Sequence, residues 1–305
     1  MVGGSFSFSA VDPDVVYFAF QDYSGAVSTD AGSSWRYMNV SGNTWGGMGY
    51  GGYAINSTTY VVGNAPSWTG KRELMTSLDA GRTWQGHNLS FEGLDMSFGD
   101  PVNPSVVFAS NWRSSDGGLT WVNMTGCSGV VINSTWEQEP VLLGVSRDKT
   151  SIVTSSDSGA TWTLLLNTSL RSVGDIAAGP NLVPLFVVAA DRLLDCTRNS
   201  SGWHCSEAQT PLDQYNASRF KSVAIDPSNP SIVFATNTKD IYASNRPVLR
   251  SFDAGRSWTS LLLDVPLEPN QLQGVHEASW ARVHPRSGAL WVAGGCFGVW
   301  KWLGQ

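Results

Sequence analysis

The sequence predicts an all-β protein, and three observations predict it. One eight-residue pattern occurs five times along the chain. Each copy is flanked by short runs rich in β-branched residues and bounded by Gly, Asn, Pro or Ser, which read as strands and turns. No segment of useful length carries helical periodicity.

The pattern is Ser, any residue, Asp, a small residue, Gly, any residue, Ser or Thr, then Trp. It reads STDAGSSW from Ser28 to Trp35, SLDAGRTW from Ser77 to Trp84 and SSDGGLTW from Ser114 to Trp121. The remaining copies are SSDSGATW from Ser155 to Trp162 and SFDAGRSW from Ser251 to Trp258. The starts lie 49, 37, 41 and 96 residues apart, the last gap being close to two periods. Repeats of this length indicate a solenoid, an array or a propeller. Within the pattern the Asp accepts hydrogen bonds from its own turn. The Gly supplies a backbone angle that a Cβ would penalise, and the Trp lays an apolar face over the turn.

Strands can be placed around each turn in order. Before the turns lie VVYFAF (Val15 to Phe20), TTYVVG (Thr58 to Gly63), VVFAS (Val106 to Ser110), PVLLGV (Pro140 to Val145) and IVFAT (Ile232 to Thr236). After them come runs such as WRYMNV and WTLLL. The phrase DPxNPSxVFA, at Asp100 to Ala109 and again at Asp226 to Ala235, marks the same place in two units. Units begin near residues 5, 46, 93, 128, 172, 220 and 278, four strands to a unit. Seven four-stranded sheets around a channel make a β-propeller, expected as one domain over residues 1–305. Six or eight blades stay open, because two units lack the pattern.

The fifth unit has DCTRNSSGWHC where the turn should fall, which predicts a disulfide between Cys196 and Cys205 across that hairpin. Cys127 and Cys296 are left either to pair or to stay buried as small apolar residues. The seventh unit supplies three strands, so its fourth is expected to be missing or to come from elsewhere. The chain is then either a whole propeller, a fragment, or one half of a longer tandem protein.

Composition narrows the function classes. Net charge is −6 and 14% of residues are charged, which lacks the basic footprint of a nucleic-acid binder. No apolar run approaches the roughly 18 residues of a membrane-spanning helix, so no membrane insertion is expected. CxxC spacing is absent, and neither a metal nor a cofactor is expected. Asn39, Asn56, Asn88, Asn123, Asn133, Asn167, Asn199 and Asn216 each open an Asn-x-Ser/Thr sequon. These predict a secreted glycoprotein, although MVGGSFSFS has no signal-peptide hydrophobic region.

The five turns are those of the Asp-box (BNR repeat) propeller families, and the resemblance covers nearly the whole chain. The combination of DPxNPSxVFA with SxDxGxxW looks most like glycoside hydrolase family 74, the xyloglucan-active enzymes. Sialidases, sortilin-type ectodomains, lectins and a photosystem II assembly factor are more distant. The resemblance implies that Asp30, Asp79, Asp116, Asp157 and Asp253 are structural. It also implies a ligand site on the face opposite the boxes, with an acid and a base from opposite sides of a cleft. Family members usually carry two propellers where this sequence has one. The sialidase Arg-Ile-Pro signature is absent.

On that opposite face the resemblance marks Asp22, in FQDYSG, as the catalytic candidate. It matches the Asp of an Asp-x-Gly-Gly-like loop of which Tyr23, Ser24 and Gly25 keep one glycine. Asp95 and Asp175, at the starts of innermost strands, are the candidates for the second carboxylate. Glycoside hydrolysis needs one protonated and one ionised carboxyl group roughly 5 to 10 Å apart. The boxes use five of the fourteen tryptophans, and Trp291, Trp300 and Trp302 are expected between sheets. Trp45, Trp68, Trp112, Trp136, Trp203 and Trp280 remain, most of them in loops of the ligand face. Trp45, Trp68, Trp112, Trp136 and Trp280, with Tyr23, Arg72 and Arg113, form the expected polysaccharide-binding set, since aromatic faces stack on sugar rings while polar groups take hydroxyls. The expected protein is a monomeric, secreted polysaccharide hydrolase. A glycan-binding lectin or sortilin-like ectodomain is the alternative, and a lyase, served by Tyr50, Tyr242 or His276, is a further one.

Overall fold

The computed structural model describes residues 3–20, 22–42, 47–67, 69–89, 97–100, 102–134, 141–168, 172–211, 220–237, 248–261, 278–294 and 298–303. They form seven antiparallel sheets, each with its strands in chain order. Six sheets have four strands and the seventh has three among the described residues. The first strands are Gly3–Phe8, Met48–Ala54, Ser97–Gly99, Gly129–Ser134, Val173–Ala178, Phe220–Asp226 and Ala278–Val283. First strands of neighbouring sheets lie against one another at six of the seven seams, and the second strand of the third sheet, Val107–Ala109, meets Gly129–Ser134 at the other, so the ring is a seven-bladed propeller with the first strands innermost.

The sequence pattern explains the layering. Second strands such as Val16–Phe20, Tyr60–Ala65 and Leu185–Ala189 are buried along their whole length. Each lies between two neighbouring blades, so both its faces are covered and an unbroken apolar run replaces alternation. Fourth strands such as Arg36–Tyr37 and Gln85–Gly86 are short and exposed. Among the described residues no helix is long and apolar enough to cross a membrane.

The five octapeptide turns share one hydrogen-bond pattern. The opening Ser hydroxyl donates to the Asp at 2.7–2.9 Å and accepts from the Gly N–H at 2.8–2.9 Å. The seventh residue donates its N–H to one carboxylate oxygen and its hydroxyl to the other, the latter at 2.6–2.7 Å. The indole N–H of Trp35, Trp121 and Trp162 closes the turn onto the Gly carbonyl. The fifth position has a second reason to be Gly that the turn alone does not reveal. A Cβ on Gly255 would lie 2.2 Å from the Phe186 ring of the preceding blade, and one on Gly159 would lie 2.6 Å from Phe108. Each turn is therefore also a seat for its neighbour.

These hydrogen bonds hold the five carboxyl groups at a pKa of about 2. At Asp30, Asp79, Asp157 and Asp253 the hydroxyl of the seventh residue is the leading cause. At Asp116 burial is the largest single influence and acts upward, and the hydrogen bonds from Thr120, Ser114 and Leu119 outweigh it. A carboxyl group depressed in the folded state stabilises above its unfolded value and loses that contribution as pH falls through the folded value. The melting temperature is therefore expected to fall between pH about 4 and about 2. Asp157→Asn should melt lower at neutral pH and lose less over the acid range, as thermal scans across pH would show. Parallel pH profiles for variant and wild type would count against the assignment.

Cys196 and Cys205 sit opposite one another on the outer strands of blade 5 and form the expected disulfide. Cys296 lies outside the described residues, and Cys127 is free and buried. Its neighbourhood is apolar, and burial pushes its thiol up to about 12.

Blade 7 closes the ring by side chains. Trp291 is 1% exposed and packs against Phe6, Phe8 and Trp35 of blade 1. His284 Nε2 lies 3.0 Å from the Pro13 carbonyl, and Arg286 pairs with Asp12 and Asp14. Trp302 packs against Phe234, whereas Trp300 lies at the surface.

Candidate active site at the channel mouth

Two sets of loops define the ends of the ring. The N–H of Ala31 in the first octapeptide turn donates to Asp14, and those of Ala80, Gly117 and Ala254 reach the same turn of their own blades. The boxes and the first-to-second-strand turns thus share one end. At the other end Ser24 N–H donates to Gly47 O, Met124 N–H to Asn111 O and Phe220 N–H to Asp191 O. Second-to-third-strand loops therefore lie beside the links between blades, as the sequence reading required.

Asp22 lies in the first of these loops and is partly buried. Among the described residues no hydrogen bond or ion pair reaches its carboxylate. The next two residues have left-handed backbones, φ +72° at Tyr23 and +59° at Ser24. Neither is glycine, so the turn carries strain that its surroundings must hold. They do so from several directions. Gly25 N–H donates to Tyr23 O at 2.6 Å, Ser24 Oγ donates to buried Asn64 at 2.7 Å, and Ser24 N–H donates to Gly47 O at 2.9 Å. A Cβ on Gly49 would lie 2.1 Å from Ser24 O and 2.3 Å from Phe20 O, so only glycine lets the innermost strand of blade 2 approach this loop. Tyr23 is left 47% exposed beside Asp22.

Blade 2 continues the wall. Tyr50 follows Gly49 by one residue, and Arg72 lies over its ring at 4.3 Å. Trp112 begins the third strand of blade 3 at the same end of the ring. Asp22, Tyr23, Arg72 and Trp112 are thus all on the face assigned to them.

Three other candidates are corrected. Asp175 is fully buried, and its carboxylate accepts five hydrogen bonds. Oδ1 takes Ile176 N–H and Arg282 Nη2; Oδ2 takes Ser222 Oγ, Val223 N–H and Arg282 Nη1. It ties together the innermost strands of blades 5, 6 and 7 and has no oxygen left for a substrate. Arg113 points to the next blade, where its Nε donates to Ser158 O at 2.6 Å. Trp280 donates its indole N–H to Phe6 O across the blade 7–blade 1 seam, and Arg282 covers its ring at 4.0 Å. Trp203 likewise packs beside the disulfide hairpin of blade 5. Asp95, Trp45, Trp68, Trp136, Tyr242 and His276 lie outside the described residues.

Other described carboxylates at this end are engaged. Glu73 accepts from Asn88 N–H, Asp191 pairs with Lys221 at 2.6 Å, and Asp148 is held below the usual carboxylate range by Ser146 and Thr150. Sequence reasoning missed Asn64, Gly47 and Gly49, which hold the Asp22 loop. The glycine density of GGMGYGGY, unusual for an innermost strand, was the available signal.

The fold recurs in solved structures. The family 74 xyloglucanase of Xanthomonas campestris matches 99% of this chain with a TM-score of 0.72 at 17% identity, and the family 74 enzyme of Niastella koreensis matches 99% with 0.71 at 19%. The likeness is one of fold. This chain covers 52% of each of those chains. YCF48 of Cyanidioschyzon merolae matches 99% with a TM-score of 0.60 at 14% identity, and 95% of that chain is covered. By sequence, a xyloglucanase of Paenibacillus sp. is 31% identical over 168 residues, which is 50% of this chain and 15% of that protein. No family model matches the chain.

Proposed function

We infer that the protein hydrolyses glycosidic bonds of a polysaccharide at the end of the propeller away from the boxes. Asp22 supplies one carboxyl group and Asp95, at the entry to blade 3, the other. The observation that carries this reading is the Asp22 loop, where two consecutive left-handed residues lie beside a carboxylate that no hydrogen bond or ion pair reaches among the described residues and beside an exposed aromatic ring. Such strain costs of order 1–3 kcal/mol per residue and clusters at functional sites. The sequence similarity to a xyloglucanase supports the substrate class. Tyr23, Tyr50 and Trp112 supply flat surfaces for sugar rings.

One carboxyl group must protonate the leaving oxygen while the other stays ionised to attack or to activate water. Asp175 takes no part, because its charge is already matched by Arg282. The same reading makes the protein secreted. The Asn56 and Asn199 side chains are held in turns by their own sequon hydroxyls, at 2.9 and 2.6 Å, the first between the innermost and second strands of blade 2 and the second on the outer hairpin of blade 5.

The test is reducing-sugar release from xyloglucan, β-glucans and uronic-acid polysaccharides, with absorbance near 235 nm followed for lyase products. Wild type should release sugar, and Asp22→Asn should lose about 10²- to 10⁴-fold in turnover. Binding without release by the wild type would make the protein a lectin, and full turnover by Asp22→Asn would remove that residue from the chemistry.

A further inference from the structure

We propose that Arg72, stacked on Tyr50, is a subsite for an anionic substituent, carboxylate or sulfate, on the glycan bound beside Asp22; this rests on the carbohydrate-binding reading above. Three neighbouring residues show how the site is built. Lys71 and Glu73 both turn toward Asn88 on the outer side of blade 2, Lys71 to its side-chain oxygen and Glu73 to its N–H at 2.7 Å. The intervening Arg72 turns the other way, as alternation along an extended chain requires, and meets Tyr50 on the innermost strand. Its guanidinium is therefore brought to the channel side.

Arg72 is exposed, and among the described residues no carboxylate lies within ion-pair distance of it. Other guanidinium groups of this chain are spent on structure. Arg282 holds Asp175, Arg286 holds Asp12 and Asp14, Arg192 holds Glu207, and Arg113 holds a backbone carbonyl. Stacking on Tyr50 fixes the plane of Arg72 and leaves its N–H edges available. A guanidinium held in this way suits an oxyanion that accepts two parallel hydrogen bonds. A neutral hydroxyl would use one donor and none of the charge.

The subsite is linked to the Asp22 loop through the backbone of the innermost strand of blade 2. Tyr50 follows Gly49, whose Cα approaches Ser24 O closely enough that a Cβ would overlap it. A glycan that binds at Tyr23 and runs on over blade 2 would present its neighbouring sugar or its branch to Arg72. In a chain of net charge −6, an uncompensated cation at the mouth favours substrates that carry negative charge there and leaves neutral branches without that gain.

The experiment uses three probes: a glucuronate-branched xylan oligosaccharide, its carboxyl-reduced form, and the reduced form carrying sulfate. Dissociation constants are measured by calorimetry for wild type, Arg72→Gln and Arg72→Lys. Wild type should bind at least one charged form about tenfold tighter than the reduced form. Arg72→Gln should bring that ratio near one, and Arg72→Lys should restore only part of it, because lysine keeps the charge without the planar fork. Which charged form shows the margin separates uronate from sulfate recognition. Equal affinity for charged and reduced forms in wild type, a margin that survives Arg72→Gln, or no binding of any probe would overturn the proposal. Turnover of the reduced form without a charge margin would leave the hydrolase reading standing. An Arg72-dependent margin without turnover of any substrate would do the reverse.

Discussion

Asp175→Asn is expected to destabilise the protein by about 3–5 kcal/mol, the usual cost of breaking a buried ion pair from one side. The substitution leaves the Arg282 charge unmatched and sets an amide N–H₂ among the donors Ser222 Oγ, Val223 N–H and Ile176 N–H. Three blades meet at this carboxylate, so the loss is felt across the ring rather than within one sheet. The melting temperature should fall by about 6–15 °C. Ser222→Ala, which keeps the ion pair, should cost only about 1 kcal/mol, and Arg282→Lys should fall between the two. At temperatures well below melting, folded Asp175→Asn should retain its turnover. A variant that melts normally but has lost turnover would return Asp175 to the catalytic pair and sink the structural assignment.

The case of Asp175 shows where sequence reading stops. Its position at the start of an innermost strand is legible, and the structure places it there. What cannot be read is the bulge between Val173 and Asp175, which shifts the register against the second strand. The same irregularity precedes Ser222 in blade 6 and Trp280 in blade 7. These three bulges put Asp175, Ser222 and the Trp280–Arg282 segment at equivalent places on adjoining blades, where they meet. A bulge has no sequence signature of its own, and neither Arg282 nor Ser222 stood out in the sequence. Arg113 failed for a related reason. It precedes the box serine, as Thr76 does, and both side chains reach the box of the following blade, at Ser158 O and Gly118 O.

The five turns, by contrast, were legible because the hydrogen bonds that shape them are local. Ser, Asp, Gly and the closing hydroxyl satisfy one another within eight residues. The disulfide was legible for the same reason, its cysteines being nine residues apart across one hairpin. Blade starts followed from the turns by counting strands. The Asp22 loop fell between these extremes. Its position was legible, whereas its support comes from Asn64 on blade 2, 40 residues from Ser24. Ser24 stands where the family pattern has a glycine, and its φ of +59° explains why that pattern favours glycine there. The serine hydroxyl offsets part of the strain by bonding Asn64.

Two glycines three residues apart in one motif should separate the site from its scaffold. Gly49→Ala is expected to lower turnover by about 10²-fold, the order of loss when reacting groups move by about 1 Å. Its Cβ would meet Ser24 O at 2.1 Å, Phe20 O at 2.3 Å and Ser24 C at 2.9 Å, all backbone atoms that no rotamer can clear. The Asp22 loop and the blade 2 strand must therefore part. Gly52→Ala instead meets the Tyr17 ring at 2.2 Å, inside the seam between blades 1 and 2. Tyr17 is fully buried, so this variant pays for overpacking, about 1–3 kcal/mol. Its strain falls first on a side chain, whose hydroxyl is tied to the Asp22 loop by a long hydrogen bond to Ser24 O at 3.4 Å, rather than directly on the backbone of that loop. Measured at a temperature where both variants are folded, Gly52→Ala should keep a near-normal kcat while Gly49→Ala loses it. The two glycines differ in which neighbour they spare, and stability alone does not predict which variant loses the chemistry. Equal kcat in the two folded variants would mean that the approach of Gly49 to Ser24 does not position the reacting carboxylate.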